Sequence, residues 1–212
     1  MSTALVEEIR LVIGMAGTRL LVEAYFDPTR RFAGATFDLL GDNPANEFTT
    51  ADVLGASLLD VGFLPRAVRG LLVDERREQL NALLAEIPNN VDLWEATDTD
   101  LGPARLLWTA VMGLEGVGPT RTSKLMARKR PRLIPVIDKV VRGALPSLGS
   151  DSWLSMQTAL RSDIDLRGQI DGLRPESARD ISTLRILDAA LWMNLSRSTH
   201  VARERRRVSS ST

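Results

Sequence analysis

Between residues 113 and 141 the chain reads GLEGVGPTRTSKLMARKRPRLIPVIDKVV, and most of its candidate chemistry lies there. Gly116 and Gly118 flank Val117, and Pro119 follows. Glycine permits positive φ, or the close approach of another group to bare backbone. Proline fits a first helical position because it leaves no N–H unpaired there. The remaining N–H groups of such a helix start, with the helix dipole, form an anion site. Residues 121–142 carry eight basic side chains, Arg121, Lys124, Arg128, Lys129, Arg130, Arg132, Lys139 and Arg142, against one acid, Asp138. Arg121, Lys124 and Arg128 recur at helical spacing, so one helix face can follow a phosphate backbone. A tight turn of two helices with a solvated basic face is the plainer reading of the same residues.

Composition narrows the alternatives. The 27 basic and 27 acidic residues of this 212-residue chain cancel, so a uniformly basic surface is excluded and a nucleic-acid site has to be a local patch. Only Lys124, Lys129 and Lys139 are lysines. The excess of arginine fits a bias in coding composition, and also fits recognition by planar guanidinium groups. There is no cysteine, which excludes disulfides, thiolate metal sites and iron–sulfur clusters. With His200 the single histidine, neither a Ser–His–Asp triad nor a multi-histidine metal site is expected. No metal is assigned. No apolar run is long enough to cross a bilayer and the N-terminus does not read as a signal peptide, so the expected location is the cytoplasm.

Helices have to position these residues. Apolar periodicity predicts a helix over 4–26. Residues 27–48, DPTRRFAGATFDLLGDNPANEF, read as a long loop with a short extended piece at GATFDLL. Thr49 with Asp52 resembles a cap for a helix to about residue 61, and Pro65 starts another to about residue 86. Asp98 or Thr99 caps a helix through LGPARLLWTAVMGL, with Pro103 in its first turn. Asp138 and Asp151 begin further helices, and DISTLRILDAALWMNL is a core helix. Strand alternation is weak throughout. The expected fold is therefore an all-α, multi-helix globular domain over residues 1–200, with an N-terminal part at 1–95, a hairpin part at 96–200 and a flexible basic tail at 201–212.

LEGVGP between two helices, followed by Ile137-Asp138 twenty residues after Gly118, resembles the helix–hairpin–helix DNA glycosylase superfamily. Close resemblance covers about residues 100–145. It implies a helix–hairpin–helix motif that grips double-stranded DNA through Gly116, Val117, Gly118, Thr120, Arg121, Lys124 and Arg128, with Asp138 as the catalytic carboxylate. It also implies that carbonyls from Leu114 to Val117 hold a monovalent cation; no other cofactor is implied. A carboxylate near C1′ stabilises the positive charge that builds on a sugar as an N-glycosidic bond breaks. The family's strand-cleaving members carry lysine where this chain has Thr120, so a glycosylase without lyase activity is the expectation. The arginine usual five residues after the aspartate is offset, at Arg142, and Glu115 replaces a common proline. The segments YFDP, AGATF and ARKRPRLIP give the whole chain a second resemblance, to a family of small bacterial proteins of unassigned function.

Two other readings stay open: a DNA-binding module in which Asp138 only caps a helix, and a helical protein-interaction domain. The acids Asp27, Asp38, Asp42, Glu47 and Asp52 could bind Mg²⁺ but match no known spacing, and turn formation explains them more simply.

Overall fold

Each regular element among the described residues, 2–210 of a computed structural model, is helical. The helices are α1 (Ser2–Ile13), α2 (Thr18–Phe26), α3 (Gly34–Leu39), α4 (Thr50–Ser57), α5 (Pro65–Leu72), α6 (Arg76–Ala85) and α7 (Asp98–Met112). They continue with α8 (Pro119–Lys129), α9 (Lys139–Ala144), α10 (Ser152–Ser162), α11 (Ile164–Asp171), α12 (Thr183–Leu195) and α13 (Thr199–Ser209). Short 3-10 turns occur at Pro146–Leu148 and Glu176–Ala178. No helix among the described residues is long and apolar enough to cross a membrane.

The chain divides into two compact units, and the division is not the sequential one expected at residue 95. Residues 36–136 form one unit; residues 1–35 and 137–212 form the other. The second unit is discontinuous because its C-terminal helices return to the first two. Within it α12 packs against α1, α2, α9 and α11. The centre of that unit is α12, buried nearly all round from Thr183 to Asn194. Asn194 donates to Thr18 Oγ1 at 3.0 Å, and Thr18 Oγ1 donates to the Met15 carbonyl at 2.8 Å. These bonds fix the corner between α1 and α2, where Gly17 takes a φ of 80°. A continuous helix over 4–26 is thus replaced by two helices with a glycine corner. Asp163, not singled out from sequence, caps α11 through the Leu166 N–H and pairs with Arg10 at 2.9 Å.

The tail is likewise ordered into α13 as far as Ser209, and residues 211–212 lie outside the described residues. Val201, Glu204 and Val208 are buried along one stripe of α13. A side chain at Gly17 would meet Val208 Cγ1 at 2.6 Å, so that glycine admits the valine. The basic composition of the tail hid this apolar stripe.

In the 36–136 unit, α4 packs on α8, α8 on α7, α7 on α6 and α6 on α5. Two capping boxes set helix starts. The Thr49 side chain accepts from the Asp52 N–H while Asp52 accepts from the Thr49 N–H. Thr97 and Asp100 repeat the arrangement, so Thr97, and not Asp98 or Thr99, caps α7, and Pro103 lies beyond the first turn. The supposed loop at 27–48 contains α3, not an extended piece. Gly34 opens it at φ 43°, where any Cβ would lie 2.1 Å from the Tyr25 carbonyl. That close approach requires glycine.

The hydrogen bonds from Thr97 hold the Asp100 carboxyl below its usual pKa of 3.8. A depressed carboxylate adds stability above the unfolded value and loses it as pH falls below that. Removing this first-turn carboxylate by Asp100→Ala is expected to cost roughly 0.3–1 kcal/mol at neutral pH. The difference from wild type should shrink in urea melts below pH 3.8, the ordinary carboxylate value.

Candidate nucleic-acid interface

The turn between α7 and α8 uses its two glycines differently. Gly116 has φ 72°, and a Cβ there would sit 2.7 Å from Leu64 Cδ1, so the fold itself requires glycine. Gly118 has φ −100° and ψ −178°, extended backbone open to any residue. A Cβ at Gly118 would meet no heavy atom within 4 Å. Leu114 and Val117 point inward and are buried, and the Val117 N–H donates to the Leu114 carbonyl at 3.0 Å. Gly118 caps α8 without a side-chain acceptor, and Pro119 occupies its first turn. The Gly118 carbonyl accepts from the Thr122 N–H and hydroxyl, both at 3.1 Å. Glu115 is exposed and pairs with the exposed Arg66 at 3.3 Å.

The basic face of α8 does not lie in solvent. Arg121 is half-buried and its Nε donates to the Gly62 carbonyl. Lys124 is buried with its Nζ donating to the Leu59 carbonyl. These two hold the connection between α4 and α5. Arg128 is 1% exposed; its Nε donates to Asp52 Oδ1 at 2.9 Å, and its two terminal nitrogens donate to the Phe37 and Leu40 carbonyls. Expectations of Lys124 and Arg128 as a solvated phosphate-following face are corrected accordingly. Helical spacing put them on one side of α8, but α4 and the 37–46 segment cover that side.

Lys129 and Arg130 continue inward. Lys129 Nζ pairs with Asp52 Oδ2, donates to Asn43 Oδ1 at 2.7 Å and lies 5.9 Å from the Phe48 ring centroid. Burial lowers its pKa, against the opposing pull of Asp52. Arg130 donates to the carbonyls of Ile87 at 2.9 Å, Ala45 at 2.6 Å and Leu84, and to Asn46 Oδ1 at 3.2 Å. Burial pushes its pKa down to about 10. Arg132 makes a two-point contact with Asp92, Nε to Oδ1 at 2.8 Å and Nη2 to Oδ2 at 2.5 Å. Arg128, Lys129 and Arg130 are thus an internal set of donors for loop oxygens, while Arg132 is exposed. Of the expected acidic cluster, Asp52 is committed to these cations and Glu47 pairs with Arg77.

Asp138 belongs to the discontinuous unit, apart from the unit that holds the turn. It is 8% exposed and caps α9, its Oδ1 accepting from the N–H groups of Val140 and Val141 at 2.9 and 3.0 Å. Lys139 and Arg142 beside it are exposed. Gly116, Val117, Gly118, Thr120 and Arg121 share one turn; Lys124 and Arg128 lie on the same helix but are turned inward.

A family model, the Family of unknown function (DUF6308), matches residues 19–195, and the chain belongs to that family. No curated protein matches the chain. No solved structure matches it.

The cluster around Asp52 predicts a specific cost. Asp52→Asn keeps the volume but leaves Arg128 and Lys129 buried without a counter-charge, which should destabilise by about 3–5 kcal/mol. Urea denaturation checks this. A solvent-facing basic patch would instead give an unchanged midpoint.

Proposed function

We propose that this protein binds the phosphate backbone of double-stranded DNA through the α7–α8 turn, with main-chain groups of Gly116, Gly118 and Thr120 as the contacts, Val117 anchoring the turn beneath them and Arg121 at their edge. The observation that carries this reading is the openness at Gly118: the fold has no steric need of glycine there, whereas a phosphate approaching the amides at the start of α8 would. Helix N-termini offer N–H groups and a positive dipole end to such an anion. The reading relies on backbone amides because Lys124 and Arg128 are engaged inside the unit.

Gly118→Ser separates the two demands. The backbone angles admit serine, and its hydroxyl is a preferred N-cap, so the melting temperature should hold or rise slightly. The added side chain would occupy the approach path and compete for the amides, so duplex affinity should fall at least roughly ten-fold at low salt. Unchanged affinity would overturn the proposal.

A second reading, base excision by a glycosylase-like enzyme without lyase activity, draws on the placement of Asp138. Two amides hold its Oδ1, giving the carboxylate a fixed orientation at the start of α9. The reaction would need that carboxylate beside the sugar of an extruded nucleotide. Incubation with a panel of damaged duplexes tests it: base release lost in Asp138→Asn, with binding retained, supports excision. Binding without base release from any lesion leaves Asp138 a cap. As a cap alone, Asp138→Ala should cost about 1 kcal/mol of stability.

A further inference from the structure

Helix α13 sorts its charges in a way that its buried stripe does not require. Its one acid, Glu204, is buried with Val201 and Val208. Arg205 is committed to the end of α12, donating to the Asn194 carbonyl and, at 2.6 Å, to the Ser196 carbonyl. Arg207 donates to Glu204 Oε1 at 2.8 Å and enters a recess lined also by Glu23, Asp27 and Arg30. Arg203 and Arg206 remain, three residues apart on the exposed side, with exposed Arg197 and His200 just before them. Among the described residues no carboxylate pairs with Arg197, Arg203 or Arg206. The helix dipole accounts for basic residues in the last turn, Arg206 and Arg207, but not for Arg203 or Arg197.

We propose that this arginine face of α13 is a second contact surface for DNA phosphates, carried by the discontinuous unit and separate from the α7–α8 turn. Positions three apart on a helix are neighbours, so Arg203 and Arg206 present two guanidinium groups side by side. Guanidinium forks suit phosphate oxygens. The chain is neutral overall, so turning Glu204 inward and Arg203 and Arg206 outward on one helix creates local positive potential. The identity of the partner as DNA rests on the reading given under Proposed function; the cationic face does not.

The test uses the full chain, a short fluorescent duplex and a salt series, comparing wild type, R203Q/R206Q and Gly118→Ser. Both arginines are exposed, so the double variant should keep the wild-type melting temperature. Each phosphate contact contributes about 0.9 to the slope of log K against log salt, so the double variant should flatten that slope by about 2 and weaken low-salt binding roughly ten-fold. A flattened slope supports α13 even if Gly118→Ser binds normally, in which case the turn fails and the helix stands. An unchanged slope in the double variant, with Gly118→Ser impaired, overturns α13 and leaves the turn intact. No duplex binding by wild type overturns both. Wild-type binding to anionic phospholipid vesicles in place of duplex also overturns the α13 proposal.

Discussion

Among the described residues Asp52 is the one carboxylate directly paired with the buried cations at the end of α8, and the 36–136 unit is arranged around that fact. Its side chain and those of Arg128 and Lys129 are fully buried. Removing each such ion from water costs several kcal/mol, and one carboxylate does not neutralise two cations and Arg130 besides. The balance comes from oxygen dipoles. Arg128 takes the carbonyls of Phe37 and Leu40, Lys129 those of Asn43 and Pro44, the first through its side-chain amide, and Arg130 those of Ala45, Leu84 and Ile87. Segment 40–48 has no regular structure, and α6 ends at Ala85, so both supply carbonyls that no full helix ladder occupies, although Pro44 and Leu84 also accept from the Glu47 and Ile87 N–H groups. The cations need oxygens and these oxygens need donors. Asp52 locks the arrangement to the start of α4 by accepting simultaneously from Thr49.

This use of charge reshapes the functional reading. A run of arginines and lysines after a glycine turn suggests a phosphate-tracking helix face, yet that face holds the loops of its own unit. What the turn leaves accessible is main chain: an extended, unobstructed Gly118 at the start of α8. An anion held by amides needs no basic side chain from the same helix, so the loss of Lys124 and Arg128 from the surface narrows the proposed site to the main chain of the turn. Arginines that face solvent without a carboxylate partner lie on other elements, among them Arg19 on α2, Arg142 on α9, and Arg203 and Arg206 side by side on α13.

The sequence showed what local chemistry decides. The Thr49–Asp52 box, the Asp138 and Asp151 caps and the core character of α12 all follow from a few adjacent residues, and all are present. The all-α class was legible for the same reason. Partners distant in sequence were not. Nothing near Arg128 announces the Phe37 carbonyl, and nothing near Gly17 announces Val208. A basic, serine-rich tail looks frayed unless Val201 and Val208 are read as a stripe with a waiting glycine. The discontinuous unit was invisible because periodicity describes each helix and not the helix it returns to. At the site, the difference between Gly116 and Gly118 depends on Leu64, more than fifty residues away, which no spacing rule supplies.

Amide and guanidinium NMR of the labelled chain, titrated with a short DNA duplex, tests the central claim most directly. The account predicts salt-sensitive shifts at the amides of Gly116, Gly118, Thr120 and Arg121, while the Nε–H signals of Arg128 and Arg130 stay protected and unmoved. Shifts at those buried guanidinium groups with none at the turn would contradict it.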